Sequence, residues 1–364
     1  MKKLLALLVF CTLILGSLAG CSNTKDTTTG SKESGEKKNK LICAIELHSL
    51  SNPYYVTLKE GAEMFVNSLP EGTAELQVML SEDDDEKEIN NIKSLIARGG
   101  KDVILFIDPN QAPNIATIAE ICEEEGIYWS SVWSTAEGVL PTNHEYYSLF
   151  QSQDDEQAGY DIAKKMFDSL ETPGKGKILA IQGRLANTAA INRYNGLKRA
   201  LKEYPDIELL DSQSGEWSSQ KAFTVTETWL SKYQDVDGIW CANDVMALAA
   251  IQSLKAKKMN GKVKVVGINA IDGAIQALKD GDMLATVSSN GWMQAFYGLA
   301  YPYAAYSGKL DTKTMKPEES MIHTPGYLVT ADTVDDYEEK FIKNKPKYDY
   351  NALDTCIARP MEIK

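Results

Sequence analysis

The feature that most constrains the fold is a repeated alternation of short apolar segments with longer segments of helical periodicity. The first series begins after Lys40, and its apolar runs cover residues 41–47, 76–80, 103–107 and 127–132. Continuous apolar runs of this kind are typical of parallel strands that are covered on both faces. Between them lie amphipathic segments, one of which carries Ile89, Ile92 and Leu95 on a single helical face.

A second series repeats the same scheme farther along the chain. Its apolar runs cover residues 178–181, 207–210, 238–241 and 263–267, and its helical segments include 158–170, 189–201 and 245–254. The sequence therefore predicts an α/β protein with two doubly wound, Rossmann-like parallel-sheet domains and right-handed crossovers. Because such sheets bind ligands beyond the carboxyl ends of their strands, two facing sheets predict a ligand cleft between them.

The first 40 residues have the composition of an export signal followed by a tether. Residues 1–20 combine a basic start, an apolar run over 4–15 and the sequence Leu18-Ala19-Gly20 before Cys21. This ending resembles the lipobox of bacterial lipoproteins, whose cysteine is lipidated and becomes the mature N-terminus. An ordinary signal peptide with an incidental cysteine is the alternative. Residues 21–40 are polar and predict a disordered tether, so we expect an extracytoplasmic protein, lipid-anchored to the outer face of the cell membrane.

Composition excludes several classes of function. Lys and Arg number 38 against 51 Asp and Glu, and a net charge of −13 disfavours nucleic acid as a partner. The histidines, His48, His144 and His323, are far apart and no CxxC pair occurs, so we expect no metal and no other cofactor. The motifs GxSxG, HExxH and the P-loop are also absent, which indicates that the chain is not an enzyme.

The segment after the first apolar run carries candidate ligand-binding residues. Asn52 can cap a following helix and Pro53 suits its first turn, which is a purely structural explanation for both. It does not explain the adjacent Tyr54 and Tyr55, which could stack on the apolar face of a sugar ring. Glu46, late in the apolar run, needs a polar partner if it is buried, and we expect an ion pair.

Motifs along the chain show a resemblance to a known family. Residues 51–62, Ser-Asn-Pro-Tyr-Tyr-Val-Thr-Leu-Lys-Glu-Gly-Ala, are similar to the opening signature of ribose-type sugar-binding proteins of ABC importers. These proteins have the type I periplasmic-binding-protein fold. Further similar segments follow in the family's order at residues 92–99, 182–183 with 193–196, 242–248, 265–269 and 281–287. The resemblance covers residues 41–308.

The resemblance implies a function and a set of site residues. It implies a monomeric substrate-binding protein that captures a sugar or sugar-like molecule and delivers it to a complex of ABC permease and ATPase. In the family an aromatic pair stacks on the sugar and an asparagine binds a hydroxyl, which match Tyr54, Tyr55 and Asn52. The family's arginine and its next aromatic residue match Arg193 and Trp217. Its second-domain asparagine matches Asn243, which can also be a helix N-cap.

Four positions depart from the family pattern. Trp133-Ser134 stands where pentose and hexose binders carry Asp-Arg, and Asn269 stands where they carry Asp. Ser289 replaces a glutamine, and His48 occupies a position that is usually small and polar. Fewer charged groups and more aromatic area imply a less polar or larger ligand: a disaccharide, a glycoside, a deoxy-sugar, a polyol or a nucleoside.

The matches also predict the boundaries of the two lobes. Residues 41–150 with 290–324 are expected to form the N-terminal lobe, and 151–289 with 325–364 the C-terminal lobe, with the tail 331–364 the least defined part. The chain is expected to cross between them near residues 150–151, 289–290 and 324–326. Presentation of ligand to a membrane sensor kinase, or a quorum-signal receptor, is the alternative to import. A carbohydrate-active enzyme is a further alternative, whereas a transcription regulator would need a DNA-binding headpiece where the signal lies.

Overall fold

The computed structural model describes residues 40–361. The predicted signal peptide, the lipidation site Cys21 and residues 22–39 of the tether lie outside the described residues, as do residues 362–364. Among residues 40–361, no helix has both the length and the apolar character that a membrane span requires.

The first lobe is built around a seven-stranded sheet. Its strands are β1 (Leu41–Leu47), β2 (Ala74–Leu80), β3 (Val103–Ile107), β4 (Trp129–Val132), β5 (Tyr147–Gln153), β11 (Met321–Thr324) and β13 (Arg359–Pro360). Its helices are α1 (Pro53–Ser68), α2 (Asp85–Gly99), α3 (Asn114–Glu125), α9 (Gly291–Tyr306) and the short α10 (Pro317–Ser320). The strand order β13-β11-β5-β4-β3-β1-β2 is parallel except for the edge strand β13.

The second lobe is built around a six-stranded sheet. Its strands are β6 (Lys175–Gln182), β7 (Asp206–Ser214), β8 (Gly238–Cys241), β9 (Lys264–Asn269), β10 (Ala285–Ser288) and β12 (Tyr327–Thr330). Its helices are α4 (Asp155–Asp168), α5 (Thr188–Glu203), α6 (Ser219–Lys232), α7 (Asp244–Ala256), α8 (Asp272–Lys279) and α11 (Val334–Tyr337). The order β12-β10-β9-β8-β6-β7 is parallel except for β12. The predicted pair of doubly wound parallel sheets is confirmed.

Both sheets are covered on their two faces, as the continuous apolar runs predicted. Every residue of β3 and β8 is buried, and Trp229 and Trp240 are fully enclosed in the core. Glu46 is the exception in β1: it is fully buried, and Asn91 Nδ2 lies 3.3 Å from each carboxylate oxygen. No cation pairs with Glu46 within the described part of the chain, so the expected ion pair is wrong. Burial raises the pKa of Glu46 to about 8.

The chain passes between the lobes four times. It enters the second lobe between β5 and α4, returns between β10 and α9, and enters it again between β11 and β12. The fourth passage lies in the tail, because β13 pairs antiparallel with β11. Residues 359–360 therefore belong to the first sheet, whereas the sequence had led us to group residues 325–364 with the second.

Candidate ligand-binding site

A cleft lies where the carboxyl ends of the two sheets face each other. The cavity between its lining atoms is small, about 30 Å³. The cleft is lined by Asn52, Tyr54, Tyr55, Asp108, Trp133, Asn187, Ala189, Arg193, Trp217, Asn243 and Asn269. The first five come from the first lobe and the other six from the second, so the site needs both lobes.

Three asparagines line the cleft from helix N-termini. Asn52, Asn187 and Asn243 are the N-caps of α1, α5 and α7, and each Oδ1 accepts a hydrogen bond of 3.0–3.2 Å from a backbone N–H in its first turn. Capping restrains each side chain, and the amide donors remain for other partners. Asn187 Nδ2 donates to Ser134 Oγ at 3.0 Å, which links the two lobes beside the cleft.

The aromatic residues of the first lobe hold one another in place. Trp133 Nε1 donates to the Tyr54 hydroxyl at 2.8 Å, and that hydroxyl donates to Gln294 Oε1 at 2.8 Å. Tyr55 stacks on the His48 ring with 5.3 Å between centroids and 10° between planes. These contacts fix the orientation of the rings before any ligand binds, which reduces the entropic cost of recognition.

Both cleft tryptophans have left-handed backbone conformations. The φ angles are 65° at Trp133 and 61° at Trp217, a region that bulky residues rarely adopt. Residues held in such conformations cluster at functional sites. Gly183 is required beneath Trp217, because a Cβ at this position would lie 2.1 Å from the indole ring.

Arg193 is buried between the two tryptophans. Its guanidinium carbon lies 4.8 Å from the Trp133 ring centroid and 5.6 Å from that of Trp217. Nε donates to Asp155 Oδ1 at 2.8 Å and Nη1 to the Ala242 carbonyl at 2.9 Å. Burial raises the pKa of Asp155 despite the opposing charge of Arg193. Two of the five guanidinium N–H donors are thus committed to positioning the group.

Two of the residues expected in the site do not line its central cavity. His48 does not line the cleft itself: it borders an adjoining space at the cleft mouth, where its Nδ1 lies 2.7 Å from Asp83 Oδ1. Ser289 is fully buried and accepts a hydrogen bond from Asn269 Nδ2 at 2.8 Å. Ser289 therefore contacts a cleft residue rather than the cleft, whereas His48 lines its mouth.

Three lining residues were missed from the sequence: Asp108, Asn187 and Ala189. Asp108 directly follows β3, so its position at a strand end was the signal that could have identified it. Asn187 and Ala189 open α5 after β6, and the N-cap pattern was the signal there. Asp108 also corrects the expectation of a cleft poor in carboxylates. No carboxylate follows β4, where Trp133 stands, but Asp108 supplies one from the end of the neighbouring strand β3.

The described residues hold no group of His, Cys, Asp or Glu side chains arranged for a metal ion. The cleft instead presents amide and guanidinium donors, one carboxylate acceptor and aromatic faces. Chemically, this arrangement can hydrogen-bond several hydroxyl groups and cover the faces of a small ring.

Comparison with known proteins identifies the family. Residues 44–310 match the periplasmic binding protein domain. The chain belongs to this family. Of the family's proteins, the xylitol-binding protein of Mycolicibacterium smegmatis is 28% identical over 335 residues, which is 91% of this chain and 88% of the relative.

Two further proteins illustrate the extent of the similarity. The ribose import binding protein RbsB of Haemophilus influenzae is 31% identical over 246 residues, or 67% of this chain and 78% of that protein. The crystal structure of a twin-arginine translocation pathway signal protein from Burkholderia phytofirmans superposes with a TM-score of 0.85 at 30% identity, covering 89% of this chain and 99% of the other. The similarity to both extends over both lobes.

Proposed function

We propose that this chain is an extracytoplasmic binding protein that captures one sugar or sugar-like polyol in its cleft and delivers it to an ABC importer. One observation carries the proposal: aromatic faces and hydrogen-bond donors from both lobes converge on a single cleft. Flat rings suit the C–H faces of a sugar, and amide and guanidinium groups suit adjacent hydroxyls. The xylitol-binding protein and the ribose import binding protein to which the chain is similar agree with this class of ligand.

The charge balance of the cleft narrows the class of ligand. The cation of Arg193 is balanced by Asp155 at 2.8 Å, which favours a ligand without net charge.

We propose further that the protein binds its ligand without transforming it and acts as a monomer. Arg193 is tied to Asp155, and the hydroxyl of Tyr54 is tied to Trp133 and Gln294. Within the described cleft lining, no serine, threonine or cysteine lies beside a base that could activate it as a nucleophile.

The test is a thermal-shift and calorimetric screen of the soluble chain that begins at Lys40. Xylitol, D-ribose and D-allose are the probes, and L-proline, which lacks hydroxyl groups, is the control. A ligand present at 100 times its dissociation constant should add roughly 2.7 kcal/mol of stability. Absence of a shift with all sugars and polyols would refute the proposed class of ligand, and chemical conversion of a bound probe would refute the absence of catalysis.

We propose that Cys21 carries a lipid that anchors the protein to the outer face of the membrane through the polar segment 21–40. Cys21→Ala should release the protein from the membrane fraction. Cys43→Ala is the matched control, because Cys43 is buried in β1 and should not affect anchoring. Retention of the Cys21→Ala variant on membranes after signal cleavage would contradict the anchor.

A further inference from the structure

Asp108 is a buried carboxylate whose hydrogen bonding is incomplete. Its side chain lines the cleft, the residue is only 3% exposed, and Oδ1 has no hydrogen-bond partner within residues 40–361. The backbone N–H of Asp108 donates to the Glu46 carbonyl at 3.0 Å, which fixes the residue at the end of β3. Leaving a buried polar atom unpaired costs free energy, so such an atom in a cleft indicates a missing partner.

The nearest cation does not supply that partner. His48 Nε2 lies 3.9 Å from Asp108 Oδ2, which is too long for a hydrogen bond. His48 cannot simply approach, because its ring is stacked on Tyr55 and its Nδ1 lies 2.7 Å from Asp83. His48 Nε2 is itself without a partner among the described residues. His48 Nε2 and Asp108 Oδ2 are therefore two fixed polar atoms that lie beside the cleft without bonding each other.

Other charged groups near Asp108 are already committed. Burial is the largest effect on the pKa of Asp108 and raises it to about 7. The charge of His48 opposes this rise, the charge of Glu88 adds to it, and the Tyr55 hydroxyl and the charge of Arg193 oppose it. The Arg193 guanidinium is paired with Asp155 at 2.8 Å.

We propose that Asp108 is a specificity-determining residue whose free Oδ1 accepts a hydrogen bond from a hydroxyl group of the ligand. The inference rests on the proposed function and deepens it, since Asp108 would select ligands that carry a hydroxyl group at one particular position. A site that pairs a buried polar group with a substrate hydroxyl rejects the analogue that lacks this hydroxyl. The carboxylate comes from the end of β3, beside the strand end that carries Trp133.

The proposal makes the affinity depend on pH in a defined sense. A hydroxyl donor stabilises the ionised carboxylate, so binding should lower the pKa of Asp108 and release a proton near neutral pH. The affinity should therefore rise between pH 6 and pH 8. The groups that face Asp108, namely His48, Glu88, Tyr55 and Arg193, are retained in the variants described next, and the charge of Asp108 itself raises the pKa of His48. A difference in the profile therefore reports on Asp108 together with His48, and the deoxy analogues described below assign the effect to Asp108.

The test compares Asp108→Asn with Asp102→Asn, the same substitution at the other end of β3. Asp102 lies at the surface, where its Oδ1 accepts a hydrogen bond from the Tyr306 hydroxyl at 2.9 Å. Xylitol, D-ribose and D-allose are titrated calorimetrically into each protein at pH 6 and pH 8. We expect Asp108→Asn to bind the tightest probe 10- to 100-fold more weakly at pH 8 and to lose the pH dependence. Asp102→Asn should behave as the wild type.

Monodeoxy analogues of the tightest probe give a readout that a merely structural role would not move. One analogue should bind the wild type at least tenfold more weakly than the parent probe does. The same analogue should bind Asp108→Asn with nearly the affinity of the parent probe. If Asp108→Asn does not fold, Asp108→Ser takes its place in the same comparison. Affinity within twofold of wild type at pH 8 would overturn the role of Asp108 and leave the proposed function intact. Failure of wild type to bind any of the three probes would overturn both.

Discussion

Asp83 in the first lobe and Arg184 in the second form an ion pair across the cleft mouth, with 3.0 Å between Oδ1 and Nη2. The same carboxylate oxygen lies 2.7 Å from His48 Nδ1, and these contacts lower the pKa of Asp83. Asp83 has a φ angle of 64°, so the loop after β2 presents the carboxylate in a conformation that few residues adopt. This pair can form only when the lobes are close together.

Arg184→Gln should weaken ligand binding without damaging either lobe. Because Asp83 is about half exposed, solvent screening limits the pair to about 0.2–1 kcal/mol, which corresponds to a loss of affinity of up to about fivefold. The loss should shrink at high salt. Arg199→Gln removes a similar pair, Arg199 with Glu156, that lies inside the second lobe, and should leave affinity unchanged. Equal effects of both variants would show that the Asp83–Arg184 pair does not favour closure.

Removal of Arg193 should affect both binding and folding, because it leaves Asp155 buried without its cation. Arg193→Met should reduce the free energy of unfolding by roughly 3–5 kcal/mol, measured by urea denaturation. Adding Asp155→Asn should recover most of that stability and none of the lost affinity. Ligand binding by the double variant at wild-type affinity would show that Arg193 does not contact the ligand.

Trp217→Ala should weaken binding about tenfold, because stacking and buried apolar area are lost together. Gly183→Ala should act in the same direction, since its Cβ would displace the indole. Trp292→Ala is the control: this indole lies outside the cleft and donates to Glu60 Oε2 at 2.6 Å. Calorimetric titration of the three variants with the tightest probe distinguishes a cleft effect from a general loss of packing.

Glu46→Gln should stabilise the protein at alkaline pH. The pKa of Glu46 is raised from 4.5 to about 8 by burial, so the folded state retains a proton that the unfolded chain releases. Stability from this group is therefore complete at low pH and is lost as pH rises toward 8. We expect a gain of at least ~1 kcal/mol at pH 8 and little change at pH 4. Glu75→Gln, on the exposed face of β2, should show no such dependence in urea denaturation.

The sequence predicted the strands with continuous apolar runs and missed those with buried polar groups. The bounds of β1 and β3 were predicted correctly, because Leu41–Leu47 and Val103–Ile107 are almost wholly apolar. β5 was not predicted, since serines and glutamines interrupt it. Those side chains have partners from distant elements: Ser148 Oγ donates to the Trp129 carbonyl at 2.9 Å, and Gln151 Nε2 to the Gln294 carbonyl at 2.7 Å. Tertiary hydrogen bonds of this kind are not visible in local patterns.

The candidate site shows a similar division. The family resemblance assigned Asn52, Trp133 and Trp217 to one site, and parallel strands place their carboxyl ends at the same edge, where these residues line one cleft. Asp108 was missed, because the family pattern places its carboxylate after the fourth strand, where this chain has Trp133. His48 stays a predicted site residue: it borders the space at the cleft mouth beside Tyr55, and its stacking on that ring depends on side-chain directions that the sequence does not contain.

The tail forms an additional bridge between the lobes. Lys279 of α8 contacts Glu338 at 2.9 Å, and Lys345 contacts Glu60 of α1 at 2.7 Å, with the π-helical turn Glu338–Lys343 between these anchors. Lobe opening that separates α8 from α1 must stretch this segment. Lys345→Ala should therefore broaden the distance distribution between spin labels placed on α1 and α8 in the absence of ligand. An unchanged distribution would show that the Lys345–Glu60 contact does not restrain lobe opening.

This bridge affects how far the lobes can move apart in the unliganded protein. A helical turn can lengthen only by unwinding, so a tail attached to both lobes would limit how far the hinge can swing. An open state confined in this way would sample fewer arrangements, and closing around a ligand would then cost less conformational entropy. Residues 331–361, which follow β12, would thus adjust affinity from outside the cleft, by shortening the travel of the lobes rather than by touching the ligand.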